Sequence, residues 1–523
     1  MTKNTLLTPG LFLAASLILS GAAQAAPGDS STMPQGARPR DLTVEQLRSQ
    51  LWAGRVTSAA LVARYQAAIA AADRQGPAYR AVVALNPQAG AQAAALDAAR
   101  RPRQAAAALD GVPILIKDNI DSDDGLPTTA GSLALKDNIT GRDAPVVARL
   151  KAAGAVILGK TNLSEWANFR STHSNSGWSG VGGQTRNARD PLRNPCGSSS
   201  GSAVAVAAGF APAAIGTETD GSIVCPSAVN GVVGLKPTVG LVPRTHIVPI
   251  SHSQDTAGPI TLTVRDAAIL LTAIAGSDPS DPATRDADAH KTDYSARLDP
   301  GALRGARIGV MRFCAGFHPA TDVVFEAALA RLRAAGAVLV ELTDSPDRKA
   351  LGAAEEKVLL TEFKADLETY LASTSPDRVK TRTLADLIAF NKAHASEEMP
   401  LFGQELFEMA EKTGGLADPD YLAALAAGKR LAGPEGIDRL LAQGGVVALV
   451  APTMGPAGLI DPLLGDHFVS GNTDGLPAIA GYPHLTVPMG AVQGMPVGLS
   501  FIGPAWSEAS LLALGYAFEQ AAR

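Results

Sequence analysis

The segment 194–222 carries an unusual density of hydroxyl groups and glycines. It begins N-P-C-G-S-S-S-G-S and ends G-T-E-T-D-G-S, with an apolar stretch between the two motifs. A serine hydroxyl can act as a nucleophile, and glycines let the backbone turn tightly enough to present N–H groups to an anion. These residue types predict covalent catalysis at a serine, provided that a base lies nearby.

One candidate nucleophile is Ser199, because 197–201 satisfies the G-x-S-x-G pattern of the α/β-hydrolase elbow. That elbow follows directly on an apolar strand. Here the preceding segment 186–195 reads R-N-A-R-D-P-L-R-N-P, and its two prolines and four charges are not typical of a central strand. The surroundings therefore argue against an elbow.

The candidate base is Lys117, which follows the apolar run 112–116. Desolvation at such a position disfavours the ammonium form and lowers the lysine pKa toward neutrality, where the amine can accept a proton. Taken alone, Lys117 is more readily interpreted as the partner of Asp118 at a strand end. Its combination with Ser198 and Ser222 favours the catalytic interpretation.

These residues resemble the amidase signature family, whose enzymes use a serine nucleophile, a second serine in a cis peptide and a lysine. The family pattern G-G-S-S-G-G-S is similar to 196–202, with cysteine and serine replacing two glycines. The pattern G-T-D-x-G-G-S-I is similar to 216–223, with Glu218 and Asp220 as departures. The likeness extends over nearly the whole chain after its leader, including G-A-V-I-L-G-K-T-N, G-V-V-G-L-K-P and G-M-P-V-G-L-S-F-I-G-P.

The resemblance implies a role for each of the three residues. Ser222 would attack the carboxamide carbon, Ser198 would relay the proton, and neutral Lys117 would be the base. The family's cis bond would fall between Gly197 and Ser198. A hydroxyl suits the relay because it can donate and accept a hydrogen bond at once.

The resemblance also places an oxyanion hole in the second motif. Its donors would be the backbone N–H groups of Thr219, Asp220, Gly221 and Ser222. Most relatives have glycine at the position of Asp220. Its backbone N–H can still donate, but its side chain would narrow or charge the pocket.

Within the family, C-G-S-S-S-G-S combined with G-T-E-T-D-G-S-I-V-C is most similar to the peptide amidases, which remove ammonia from the C-terminal carboxamide of a peptide. We therefore expect a peptide amide substrate. An amidase of small aliphatic, aryl or fatty amides is the main alternative, and an amidotransferase A-type subunit is a further one. A solute-binding protein of similar build would not need the three residues together.

The composition narrows the class of partner. The chain has 523 residues, 46% of them hydrophobic, which is ample for a sizeable core. Its net charge of −5 shows no basic excess to neutralise phosphates, so we expect no nucleic-acid partner. The oligomeric state stays open.

The N-terminus reads as a signal peptide over residues 1–25. Lys3 supplies a positive charge, 11–19 is apolar, and 23–25 is an A-x-A cleavage site. The apolar run is short for a bilayer core of about 30 Å. We expect export to the periplasm or medium, no stable membrane association, and a flexible leader over 26–40.

The chain has three cysteines, an odd number, so they cannot all be paired in disulfides within the chain. Cys196 and Cys225 flank the serine motifs and Cys314 stands apart, so the sequence leaves the pairing open. The eight histidines form no H-E-x-x-H motif, and no cysteine has zinc-ligand spacing. We predict no metal and no other cofactor.

Alternating helix and strand patterns predict an α/β fold, a large and mostly parallel mixed sheet covered by helices on both faces. The pattern predicts a strand at 113–116, a helix and strand within 144–162, and a buried helix at 202–214. No linker divides the chain. We expect a single amidase domain over 41–523, with a helical elaboration at about 349–441.

Overall fold

An eleven-stranded mixed sheet forms the centre of the computed structural model, which describes residues 42–100 and 107–522. The signal peptide and leader expected from the sequence lie outside these residues. The strand order is β1-β3-β2-β4-β6-β5-β10-β11-β9-β7-β8. The strands are β1 (Val82–Leu85), β2 (Pro113–Lys117), β3 (Val156–Thr161), β4 (Ala213–Glu218), β5 (Val233–Lys236), β6 (Thr256–Thr261), β7 (Arg307–Met311), β8 (Val338–Leu342), β9 (Ala448–Pro452), β10 (His484–Val492) and β11 (Met495–Ile502).

The mixed α/β sheet is as predicted, but the balance of strand directions is not. Parallel pairing joins β2 to β3 and β4, and β7 to β8 and β9. The other pairings among the described strands are antiparallel, including β4 with β6 and the β10–β11 hairpin. The prediction of a mostly parallel sheet was wrong. Alternation of helix and strand patterns indicates the crossover connections of parallel strands, but it does not show where two neighbouring strands pair antiparallel.

Helices surround this sheet. In the first half they are α1 (Val44–Trp52), α2 (Ser58–Ala72), α3 (Ala89–Ala99), α4 (Pro145–Ala152), α5 (Ser200–Ala208), α6 (Val224–Asn230), α7 (Val264–Ile274) and α8 (Ala287–His290). In the second half they are α9 (Pro319–Ala334), α10 (Arg348–Ala372), α11 (Leu384–Ala393), α12 (Ala395–Glu398), α13 (Glu405–Ala410), α14 (Pro419–Ala432), α15 (Arg439–Gly444), α16 (Gly475–Ala480) and α17 (Glu508–Gln520). None of these helices is long and apolar enough to cross a membrane.

Strand β10 shows that both faces of the sheet are covered. A methyl group built on Gly515 of α17 would meet Leu485 and Val487, whereas one built on Gly498 would meet Thr486 together with Ala228 of α6. Alternate residues of a strand point to opposite faces. Helices α17 and α6 therefore lie on opposite sides of the sheet, as the sequence predicted.

The neighbouring strands β2 and β4 bring the two halves of the site together. They run parallel, with Ile116 beside Ile215, so Lys117 and Thr217 emerge at the same edge of the sheet. The helix predicted over 202–214 ends earlier, because Gly209 adopts a left-handed conformation with φ 75° and the chain then enters β4. This early stop makes room for the strand that leads to Ser222.

Candidate active site

Lys117 is fully buried at the end of β2 and faces two hydroxyl groups. Its Nζ lies 2.8 Å from Ser198 Oγ, 2.8 Å from Thr217 Oγ1 and 3.3 Å from the Thr217 carbonyl oxygen. A neutral amine has two N–H groups and one lone pair. When both N–H groups of the neutral amine donate to Thr217, its lone pair is left for Ser198, whose hydroxyl can then donate its proton to the lysine.

Burial also sets the protonation of this lysine. Desolvation lowers the pKa of Lys117 to about 7, although the more distant carboxylates of Asp255 and Glu218 act in the opposite direction. A substantial fraction of the amine is therefore uncharged at neutral pH. A general base works best when its pKa lies near the operating pH.

Ser198 follows a cis peptide bond from Gly197, at the position that the family resemblance implied. Its side chain is completely buried. A methyl group on Gly197 would collide with the hydroxyl groups of Ser164 and Ser176, so only glycine fits there. Packing around Gly197 thus fixes the backbone that aims Ser198 at Lys117.

Ser222 lies in a tight turn between β4 and α6. The buried Glu218 carboxylate holds this turn by accepting hydrogen bonds from the backbone N–H groups of Ile223 at 2.7 Å and Val224 at 3.0 Å. Gly221 has φ 75°, and a methyl group there would collide with the carboxylate of Asp474. The turn therefore requires glycine before the candidate nucleophile.

The same turn leaves several backbone donors free. Over residues 42–100 and 107–522, no acceptor is found for the backbone N–H groups of Thr219, Asp220, Gly221 and Ser222, while the next two N–H groups bond to Glu218. Consecutive unpaired N–H groups in a tight turn form an anion-binding concavity. This is the geometry expected of an oxyanion hole.

A cavity of about 340 Å³ reaches the turn from outside. Ser222 lines it and is 7% exposed, whereas Lys117 and Ser198 are wholly buried. A substrate entering this cavity meets Ser222 first and has no direct access to the lysine. Ser222 is therefore exposed to the cavity as a nucleophile must be, and its carbonyl oxygen accepts a hydrogen bond at 3.1 Å from the N–H of Ser199, the residue after Ser198.

Asp220 adds a carboxyl group to this cavity. Burial, reinforced by the nearby carboxylates of Glu355 and Asp474, raises the pKa of Asp220 well above its usual range. Burial likewise raises the pKa of Glu355 to about 7. In the described part of the chain, Asp220 Oδ1 is buried and has no hydrogen-bond partner. The side chain that replaces the family's glycine therefore adds a carboxyl group to this wall of the cavity, and its raised pKa favours the protonated, uncharged form.

A second cavity of about 370 Å³ adjoins the first. The two share Ala167, Thr219 and Ile250 in their walls. The second is bordered by Thr217, which contacts Lys117, and by the apolar side chains of 247–250. The two chambers thus share part of their walls, including Thr219 of the turn at 219–222.

His252, Glu362 and Asp366 lie near the second chamber with their potential ligand atoms within 4.8 Å of one another. Hydrogen bonds account for this group. Glu362 Oε1 accepts from Ser253 Oγ at 2.5 Å and from Tyr421 Oη at 2.7 Å, and His252 Nδ1 lies 2.9 Å from Asp366 Oδ2. The hydrogen bond to Asp366 is the main reason that the pKa of His252 is raised.

A disulfide joins the two serine motifs. Cys196, two residues before Ser198, bonds to Cys225, three residues after Ser222, and Cys314 is a buried free thiol. The sequence left this pairing open because it gives no distance between the motifs. The bond ties together the loops that carry the relay and the nucleophile.

Two further residues of the second motif contribute to the site, and the sequence assigned a role to neither of them. Thr217 contacts Lys117 and Glu218 shapes the turn, although both stand inside the motif G-T-E-T-D-G-S. The role of Ser199 is structural, because its Oγ donates to the Thr217 carbonyl oxygen at 2.9 Å and accepts from the Thr217 N–H at 3.1 Å. No strand immediately precedes Ser199, as its sequence surroundings indicated.

The chain is similar to known proteins over nearly its whole length. The profile of the amidase family matches residues 60–512. A probable amidase of Arabidopsis thaliana is 39% identical, over 92% of this chain and 90% of its own length. The A-type subunit of the glutamyl-tRNA(Gln) amidotransferase of Roseiflexus castenholzii is 38% identical, over 92% and 95%. The crystal structure of the peptide amidase of Stenotrophomonas maltophilia superimposes with a TM-score of 0.86 at 52% identity, over 92% of this chain and 96% of that one.

Proposed function

The chain belongs to the amidase family, and from that premise we propose that it hydrolyses the C-terminal carboxamide of peptides through an acyl-enzyme on Ser222. The family resemblance and the amidase activity expected from the motifs are confirmed by the comparisons. The proposal concerns the substrate and the role of each residue. Its main support is the buried contact of 2.8 Å between Lys117 Nζ and Ser198 Oγ, in a loop whose Ser199 N–H donates to the Ser222 carbonyl oxygen at 3.1 Å.

In the first half of the proposed reaction, Ser222 Oγ bonds to the carboxamide carbon. Its proton passes to Ser198, which gives its own proton to Lys117. The carbonyl oxygen becomes an oxyanion and accepts hydrogen bonds from the free N–H groups of the turn at 219–222. Each such donor is typically worth about 3 kcal/mol in the transition state.

In the second half, the tetrahedral intermediate collapses and the carbon–nitrogen bond breaks. Lys117 returns its proton through Ser198, so that nitrogen leaves as ammonia. Water then attacks the ester carbon while the same pair removes its proton, and Ser222 is released as the free hydroxyl. One amide and one water thus yield one carboxylic acid and one ammonia, which ionise to carboxylate and ammonium.

Two observations favour a peptide over a small amide. The chain is 52% identical to a structure described as peptide amidase and shares nearly its full length. The cavity at Ser222 also has a volume of about 340 Å³, and ammonia, the only leaving group, needs little of it. The remaining volume is free for the acyl part, such as the C-terminal residue of a peptide.

Ammonia release from amidated peptides and from small amides, measured side by side, tests the proposed substrate. We expect a kcat/KM at least about tenfold higher for an N-acetylated dipeptide amide than for acetamide or benzamide, because the larger acyl group buries more apolar surface. Ser222→Ala is the background control. Preferred turnover of small amides would contradict the peptide assignment and leave the amidase activity intact.

We also propose that the protein is exported. The A-x-A site at 23–25 supports this, and so does the disulfide between Cys196 and Cys225, since such bonds persist in oxidising compartments. The intact mass of protein from the periplasm or medium of an expressing bacterium should correspond to a chain that starts at Ala26. A chain that keeps Met1 and sediments with membranes would contradict export.

A further inference from the structure

We propose that an exposed apolar surface beside the active-site cavity binds the residues of a peptide substrate that precede its amidated C-terminal residue. This inference rests on the proposed peptide amidase function. We call this surface the apolar rim. It consists of Leu192, Leu459, Leu463, Leu464, Phe468 and Val469.

The rim is unusual in its exposure. Leu463 is 85% exposed, Leu192 66%, Leu464 62% and Leu459 61%. Such side chains contribute little to a core, and single exposed leucines need no explanation. Here they are concentrated in one loop and the segment hydrogen-bonded to it, and clustered apolar exposure usually marks a binding surface.

The rim continues into the cavity that contains Ser222. Phe468 is 44% exposed and also lines this cavity. Further inside, the wall includes Phe169, Leu359 and Met454. Apolar surface therefore extends from the candidate nucleophile to the outside of the molecule.

The loop that carries the rim is held firmly in place. The N–H of Ile460 donates to the Leu192 carbonyl at 3.0 Å. The half-buried carboxylate of Asp466 accepts from the Ser176 N–H at 2.9 Å and from Asn194 Nδ2 at 2.6 Å. A binding surface fixed in this way loses little conformational entropy when it is occupied.

These contacts also link the rim to the relay serine. Asn194 donates to Asp466 through its Nδ2. Its Oδ1 accepts a hydrogen bond at 2.7 Å from the N–H of Cys196, which lies two residues before Ser198. The rim thus has a fixed position relative to the catalytic loop. A peptide whose amide reaches Ser222 must leave the cavity, and the exit past Phe468 leads onto the rim.

The charge of the loop favours a peptide over a membrane surface. Residues 455–473, which carry five of the six rim side chains, include Asp461 and Asp466 and contain no lysine or arginine. Arg193, beside the sixth rim residue Leu192, is paired with Asp190 at 3.3 Å. Proteins that lie on anionic bilayers combine apolar side chains with basic ones. An acidic apolar loop is better suited to an apolar peptide segment.

The test compares two amidated tetrapeptides that share the last two residues, acetyl-Leu-Leu-Gly-Ala-NH2 and acetyl-Ser-Ser-Gly-Ala-NH2. We expect wild-type kcat/KM to favour the leucine peptide by about tenfold, since burial of even part of two leucine side chains has this effect. The double variant Leu463→Ser/Leu464→Ser should reduce the preference to about twofold or less. Leu422→Ser, which changes a leucine exposed by 51% on α14, is the matched control and should keep it.

The outcomes separate this inference from the function on which it rests. If neither tetrapeptide releases ammonia while small amides do, the peptide amidase function itself fails. If both are hydrolysed and the double variant keeps the full preference for leucine, the rim is not a peptide subsite. The inference would also be overturned if the wild type, but not the double variant, sedimented with phosphatidylglycerol vesicles while the double variant kept the preference for the leucine peptide. That result would indicate that the rim contacts a membrane.

Discussion

Ser222→Ala should leave no measurable amide hydrolysis. Ser222 is the hydroxyl that reaches the cavity next to the free N–H groups of the turn, and without it no acyl-enzyme can form there. We expect a loss of about 10⁵-fold or more in kcat, comparable with the removal of a nucleophile in other serine hydrolases. Ammonia release under single-turnover conditions measures it.

A nearby serine provides the matched control for this variant. Ser227 lies in α6, and in the described part of the chain its buried hydroxyl has no hydrogen-bond partner. Ser227→Ala should therefore keep near-normal activity and thermal stability. Near-normal activity in Ser222→Ala, or an equal loss in both variants, would contradict the role of Ser222.

The pH dependence of the reaction should follow the protonation of Lys117. Burial destabilises its ammonium form, and the pKa of about 7 means that the active, uncharged amine predominates above neutral pH. We therefore expect kcat/KM to rise about tenfold per pH unit below pH 7 and to level off above it. Lys117→Met keeps most of the apolar stem but removes the base. Its rate should therefore be lower by about 10²- to 10⁴-fold, and it should no longer increase with pH below pH 7.

The relay predicts a second result at the same residues. Ser198→Ala interrupts the path to Lys117, so the double variant Ser198→Ala/Lys117→Met should be little worse than the poorer single variant, because residues that act as one unit are strongly non-additive. Thermal melts establish that each variant is folded. Additive losses, or a Lys117→Met enzyme with the wild-type pH profile, would contradict the relay.

Much of the fold could be predicted from local pattern. The strand at 113–117 and the helix and strand within 144–162 were found because apolar runs and helical periodicity mark them clearly. Strands β1, β4 and β6 were missed. Strand β1 has four residues, and the start of β4 was assigned to the preceding helix. Strand β6, T-A-G-P-I-T, contains glycine and proline, which are weak strand formers.

The sequence singled out some residues of the candidate site and not others. Lys117, Ser198 and Ser222 could be singled out because their motifs resemble those of the amidase signature family, and this resemblance implied a role for each residue. The contact of Lys117 with Thr217 depends on the parallel pairing of β2 and β4, which no local pattern reveals. The disulfide and the apolar rim likewise depend on segments that are distant in sequence, so they appear only once the chain is folded.

Identification of the residue that becomes covalently modified is the most direct test of the proposed mechanism. A fluorophosphonate, which bonds stably to activated serines, should label the enzyme at one site, and peptide mapping by mass spectrometry should place the label on Ser222. Labelling should slow below pH 7 as Lys117 becomes protonated. A label on Ser199, or undiminished labelling of Ser222→Ala, would contradict the assignment and restore the hydrolase-elbow interpretation.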